Sequence, residues 1–434
     1  MSPSESLAAQ EPAVTPDDEG HVQPVSASGG SRISSLDFIR GIAVLGILAA
    51  NIVAFGQPFS AYMWPEAFMT DNGEYSASMW IAQFIIVDGK MRALFTLLFG
   101  AGMMLFMEKA WARGSTRWLQ AKRLMFLLVF GLIHFFFIWK GDILTYYALT
   151  GLIALLFLKL RAKTQLIVGI CGYLAGALVY AAMMVPLHYI ADTPFGESAA
   201  MAETRTTLAE GQAIALDDDA AELPLISGGD YAGYVAHNFS EHAADPFANL
   251  LLFIWETLPL MLIGMAIYRM GMFDCRLDQS KQRMWGWIGL IVGAALTLLI
   301  GLWTQSAGFT YYATLAAFMG LSPIPRIMMA LGLAALLSGW APSANGWLGS
   351  RLSAAGRAAF TNYLGTSVLM VTVFHGWGLG LFGELTRAQL YLVVLGAWAV
   401  MLLWSKPWLE RFRYGPLEWL WRCLTYGRLF PLKR

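Results

Sequence analysis

The chain has 434 residues, 57% of them apolar and only 13% charged, with 29 Lys and Arg against 29 Asp and Glu. Soluble domains carry about a quarter charged residues, so this composition excludes an ordinary soluble enzyme, a disordered chain and a basic nucleic-acid binder, and points to a polytopic membrane protein. The three cysteines, Cys171, Cys275 and Cys423, lie far apart and form no CxxC pair, so neither a redox motif nor a metal site is expected.

Residues 1–31 are rich in Ser, Pro, Gly and acidic residues without an apolar run, and read as a disordered cytoplasmic tail. No cleavable signal peptide is expected, because no basic stretch and apolar core open the chain. A spanning helix needs about 20 apolar residues. Ten segments qualify, at about 36–55, 90–108, 119–139, 142–160, 165–190, 248–269, 284–304, 310–340, 357–376 and 387–405. The eighth is too long for one straight span and contains Ser322-Pro323-Ile324-Pro325-Arg326, which predicts a kink or two pieces. The short apolar stretch Ser78–Val87 reads as interfacial or re-entrant. The expected organisation is an all-α helix bundle: five spans in 32–190, a periplasmic loop at 191–247, five spans in 248–405 and a basic amphipathic tail at 406–434. Gly172 with Gly176, and Gly289 with Gly293, suit close helix packing.

Lys and Arg collect in alternate connections, around 109–123, 159–163, 269–283 and 351–357, and in the C-terminal tail. The longest opposite connection has only Arg205 and contains Asp217-Asp218-Asp219. By the positive-inside rule both termini are cytoplasmic, with a lipid bilayer as the surrounding partner. The long acidic loop is expected to cover the outer mouth of the bundle or to be partly disordered.

Polar groups inside spans are costly and therefore functional candidates. Arg40 and Asn51 are eleven residues apart, about three turns and 16.5 Å along one helix face, and Asp37 is within pairing reach of Arg40. Asp88, Lys90 and Arg92 enter the second span from the outer side, where cations need an anionic partner or ligand. Glu256, two turns below the outer surface, is most cheaply explained by pairing with Arg92 or Lys90. His134 lies near the outer end of its span, Gly141 breaks that helix, and Asp142 opens the next, where a carboxylate caps a helix N-terminus. A tight turn would bring His134 and Asp142 to one polar mouth, as general-base chemistry near neutral pH requires; a packed histidine and a simple N-cap is the alternative. Asn362-Tyr363 and His375 mark the two ends of the ninth span, and Arg413–Arg422 reads as an anchoring amphipathic helix.

The segments Leu36–Asn51, Phe95–Gly102, Gly131–Leu144, Gly356–Leu364 and Gly415–Trp419 together resemble the YeiB-like family of bacterial inner-membrane proteins of unknown function. The opening motif also resembles transmembrane acyltransferases, including heparan-α-glucosaminide N-acetyltransferase-like proteins, which take acyl-CoA from the cytoplasm and acylate an acceptor on the far side. That resemblance implies acyl-CoA as co-substrate near Asp37 and Arg40, transfer near Asn51, and a cell-envelope hydroxyl or amine as acceptor. Those enzymes carry a catalytic histidine after the first helix; residues 56–89 here contain none, which moves the base to His134, oriented by Asp142 or Asp88. Arg92, Glu256 and His375 are then the expected acceptor-side residues. A transporter or solute-binding protein, and a non-catalytic acyltransferase relative, are the alternatives.

Overall fold

The computed structural model describes residues 33–434; the expected tail at 1–31 lies outside them. The described residues fold into sixteen α-helices. The first half holds α1 (Ser34–Gly56), α2 (Ser76–Ile86), α3 (Lys90–Trp111), α4 (Arg117–Phe137), α5 (Leu144–Ala154) and α6 (Ala162–Asp192). Next come α7 (Ala202–Ser227) and α8 (Tyr231–Glu241), then α9 (Asp245–Met270), α10 (Gln279–Ser306), α11 (Tyr311–Leu315) and α12 (Pro323–Trp340). The chain closes with α13 (Trp347–Arg357), α14 (Ala359–Phe374), α15 (Arg387–Arg411) and α16 (Pro416–Tyr426). Among the described residues there is no strand, only an isolated bridge between Phe412 and Lys433.

Eight helices are long and apolar enough to cross a bilayer, and three shorter apolar helical segments accompany them. All ten expected spans coincide with helices, but 142–160 and 357–376 are short ones. The expected break in 310–340 is a π-helical turn, Ala316–Leu321, between α11 and α12. Pro323 and Pro325 cannot donate backbone hydrogen bonds to the preceding turn, and the chain restarts as α12 at Pro323. The short stretch before the second span is α2, whose Trp80 and Phe84 are buried against Phe318 of the π turn.

A helix that is apolar all round is either buried in protein or bathed in lipid, and both kinds occur here. α1 is almost wholly buried and packs on α3, α13, α14 and α15. α6, α10 and α15 turn most of their apolar surface outward, including Leu178, Ile291, Leu299 and Leu392, as expected of a lipid-facing perimeter. The two halves interleave, since α3 packs on α9 and α12. Glycines set the closest crossings. A Cβ on Gly100 would lie 2.1 Å from Met261 O, and one on Gly264 2.0 Å from Leu97 O, so α3 and α9 touch backbone to backbone. Gly176 lies against Trp255 O of α9 and Gly293 against Pro325 O of α12, the packing role expected of them.

The acidic loop is ordered. Asp219 accepts from the backbone N–H groups of Phe59 and Ser60 at 3.0 and 3.2 Å. Tyr231 Oη donates to Phe137 O at 2.9 Å, and Asn238 Nδ2 to Phe136 O at 3.3 Å. α7 and α8 thus form a cap tied to the end of α4 that bears His134.

Candidate functional site

α4 ends where Ile138 and Trp139 both donate their backbone N–H to His134 O. Trp139 folds back to stack on Phe55, with ring centroids 3.9 Å apart. Its indole lies over Gly141, where a Cβ would come within 2.2 Å of the ring, so a glycine is required for the turn to close. That turn places Asp142 Oδ1 2.8 Å from His134 Nδ1, while Oδ2 accepts from Thr145 N at 2.7 Å in the first turn of α5. One carboxylate therefore orients the imidazole and caps a helix. Gly131, one turn before His134, leaves room for Thr145 and Asp142, which a Cβ would meet at 2.5 and 3.0 Å. Both partners are sealed from solvent, and His134 Nε2 is buried without a hydrogen-bond partner. Tyr363 covers the ring at 5.3 Å, and its hydroxyl accepts from Ile143 N at 3.2 Å.

A cavity of about 380 Å³ opens at the basic end of the bundle and ends at Tyr363 and Ile143, which adjoin this pair; neither His134 nor Asp142 lines it. Ile143, Leu144, Tyr147 and Tyr363 line its inner end, and Phe95, Phe99 and Leu127 its apolar middle. Arg40, Lys109, Arg123, Arg357, Arg413 and Arg422 line its mouth together with Asp37 and Glu418. Arg40 pairs with Asp37 at 3.1 Å. Arg123 is held between the rings of Phe106 and Trp421, at 4.0 and 4.6 Å from their centroids. α16 is not a peripheral anchor alone: Glu418 accepts from Phe360 N and Thr361 N at the start of α14, and Trp421 donates to Arg123 O. The tail helix is therefore one wall of the cavity mouth.

Beyond Tyr147 lies a buried charge triad. Tyr147 Oη contacts Thr96 Oγ1 at 2.8 Å and donates to Arg92 O at 3.2 Å. Arg92 pairs with Glu256, and Arg326 Nη1 donates to both Glu256 oxygens at 2.8 and 2.9 Å. Arg326 also donates to Phe318 O at 2.7 Å and to Ser322 Oγ at 2.6 Å, so the π turn and the serine that ends it supply acceptors to the arginine that follows.

The structure thus brings together His134 with Asp142, Arg92 with Glu256, and Asp37 with Arg40. The other expected residues lie apart. Asp88 accepts from Gln83 Nε2 at 3.2 Å, and Asp142 alone is the carboxylate bonded to His134. Lys90 bonds Phe84 O and lies over the Phe84 ring at 4.7 Å. His375 packs edge-on against Tyr234 of the cap, 5.2 Å between ring centroids, away from Arg92 and Glu256. Asn51 is outside the cavity lining. Sequence spacing missed Arg326, whose signal was an arginine inside the broken eighth span, and Tyr147, which carried none; Tyr363 was singled out only as an end of the ninth span, and the structure sets it against His134. It also missed four outer-loop donors, Asp218, Glu222, His237 and His242, that converge within 4.8 Å, where no metal site was expected.

Fold and site define a multi-pass, all-α membrane protein with a basic-mouthed cavity and, behind its inner wall, a sealed histidine–aspartate pair. The chain belongs to the YeiB-like family. The family described as protein of unknown function DUF418 matches residues 267–428. Uncharacterized protein YeiB of Escherichia coli strain K12 is 32% identical over 92% of this chain and 98% of its own length. Uncharacterized protein YxaH of Bacillus subtilis strain 168 is 31% identical over 93% and 96%. An uncharacterized 39.9 kDa protein from the amylase 3′ region of Bacillus acidopullulyticus is 26% identical over 92% and 96%. No solved structure matches.

Proposed function

We propose that this protein is an inner-membrane acyltransferase that takes an acyl group from cytoplasmic acyl-CoA and delivers it to a hydroxyl or amine at the outer face. The observation that carries this reading is the cavity itself: cations at the mouth, apolar walls, and a histidine–carboxylate pair behind its far end. Arginines suit phosphates because their planar fork bonds two oxygens at once, and about 380 Å³ is within the usual range for small-molecule sites. The charge asymmetry of the connections supports a cytoplasmic mouth and cytoplasmic termini.

In the proposed step, Asp142 holds the His134 tautomer that leaves Nε2 as proton acceptor. Nε2 takes the acceptor's proton as its oxygen or nitrogen attacks the thioester carbonyl. The C–S bond then breaks, and the proton passes to the departing CoA thiolate. His134 is enclosed by Asp142, Tyr363 and Trp139, so in this reading the site opens locally to admit both thioester and acceptor.

The test is binding and turnover of acetyl-CoA and a long-chain acyl-CoA by protein purified in detergent. Binding should weaken about tenfold or more in Arg40→Ala and Arg123→Ala, each guanidinium–phosphate contact being worth about 1.5–3 kcal/mol. His134→Gln should bind normally and lose hydrolysis and transfer. Failure of the intact, folded protein to bind either acyl-CoA would overturn the reading and leave the basic cavity to another amphiphilic anion.

A further inference from the structure

The cap carries a second cluster of chemistry-bearing side chains, separate from the cavity. Asp218 and Glu222 lie one turn apart on α7, facing His237 on α8 and His242 just beyond it. His242 Nε2 stands 3.3 Å from Asp218 Oδ1 and 3.5 Å from Glu222 Oε1. His237 Nε2 stands 3.6 and 3.9 Å from the same two oxygens. Both Nε2 atoms are buried, and neither makes a hydrogen bond. A direct N–H···O bond would close to about 2.9 Å. Donor atoms around a tetrahedral ion, with bonds of about 2.0–2.1 Å, stand about 3.3 Å apart. The His242 distances match that spacing, the His237 distances are about 0.3–0.6 Å longer, and all four donor atoms lie within 4.8 Å of one another, so a small inward shift of His237 would set them round one centre. The back of the site agrees: His242, only 9% exposed, places Nδ1 2.9 Å from Asp245 Oδ2. Metal-ligating histidines commonly hand their other ring N–H to a carboxylate in this way.

We propose that Asp218, Glu222, His237 and His242 bind one first-row divalent transition-metal ion, zinc being the best match, which clasps α7 to α8 above the outer end of α4. Two imidazoles and two carboxylates suit zinc; calcium and magnesium take more oxygen ligands and no imidazole. Lys140 holds the same carboxylates from the other side, with Nζ 3.0 Å from Asp218 Oδ2 and 2.7 Å from Glu222 Oε1. It supplies counter-charge to the metal-free cap and competes with the ion for Glu222. Imidazole and carboxylate ligands bind a metal deprotonated, so affinity falls as pH falls.

The test uses full-length protein in detergent, stripped with a chelator and titrated with zinc chloride by calorimetry, with cobalt(II) as a spectroscopic stand-in. One zinc per chain, a tetrahedral cobalt band and a raised melting temperature are expected. The double variant His237→Ala/His242→Ala should lose the zinc while retaining its elution profile and helix content. Asp245→Asn should weaken binding about 10–100-fold, and Lys140→Met should tighten it. His188→Ala is the control, since His188 pairs with Asp192 on α6 instead. No stoichiometric zinc in the intact protein, undiminished zinc in the double variant, or a preference for calcium would each overturn the assignment. None of these readouts involves acyl-CoA, so the clasp and the transferase reading fail or stand separately.

Discussion

Glu256 is the residue on which the buried electrostatics turn. It is 3% exposed and stands between two guanidinium groups, Arg92 and Arg326. A buried pair that loses one partner leaves an uncompensated charge, at a cost of about 3–5 kcal/mol. Glu256→Gln is therefore expected to lower the melting temperature in detergent sharply, and Arg326→Met in the same background should recover part of the loss. If Glu256→Gln melts like the parent protein, water reaches the triad and the residue is not its keystone. Spacing made the Arg92–Glu256 pairing legible because an intramembrane acid needs a cation and few were on offer. Arg326 escaped notice because it sits beside two prolines, which explained the segment as a helix break before its charge was weighed. The His134–Asp142 pair was legible for a local reason: eight residues and one glycine turn separate them.

At the level of elements, α1 and α13 fit each other through a reciprocal glycine contact. A Cβ on Gly356 would lie 1.8 Å from Asp37 O, and one on Gly41 2.0 Å from Leu352 O. This crossing sets Asp37 and Arg40 against the cavity mouth. Gly356→Val should push α13 outward, costing about 1–3 kcal/mol as an overpacked contact and weakening acyl-CoA binding. Gly365→Ala, with nothing within 4 Å of its Cβ, should change neither. Equal effects of the two variants on melting and binding would remove the crossing from any role in shaping the mouth. The helices themselves were readable from apolar run length. The cap's helices were not, although a covering loop was one of the two expectations: α7 is polar on most faces, and the cap is tied down by Asp219 of α7 at Phe59 and by Tyr231 and Asn238 of α8 at Phe137 and Phe136, contacts that its own sequence does not reveal.

For the whole molecule, a native residue reports the orientation. Cys275 is exposed in the turn between α9 and α10, on the side where the basic connections gather. In intact cells it should resist a membrane-impermeant maleimide and react after lysis, whereas Thr207→Cys on α7 should react at once, with Cys171 replaced by Ser in both cases. Reaction of both positions in intact cells would overturn the orientation. The charge asymmetry that predicts this result is spread along the chain and easily read. The cavity is not, because its walls come from α1, α3, α4, α5, α13, α14, α15 and α16, and no periodicity within one helix encodes that meeting.

The short helices carry a last consequence. α5 with its closing turn runs Leu144–Phe157, about 21 Å at 1.5 Å per residue, against a hydrocarbon core of about 30 Å. With the cap tied to one end of α4 and the basic cavity opening toward the other, a group transferred at His134 in the proposed reaction would cross a layer shorter than a full span. Part of the membrane voltage would fall across that layer. A proton or charged acceptor crossing there exchanges about 2.3 kcal/mol per 100 mV with the field. Acyl transfer in proteoliposomes should then respond to an imposed potassium diffusion potential, and a rate indifferent to voltage would mean that no net charge crosses the barrier during turnover.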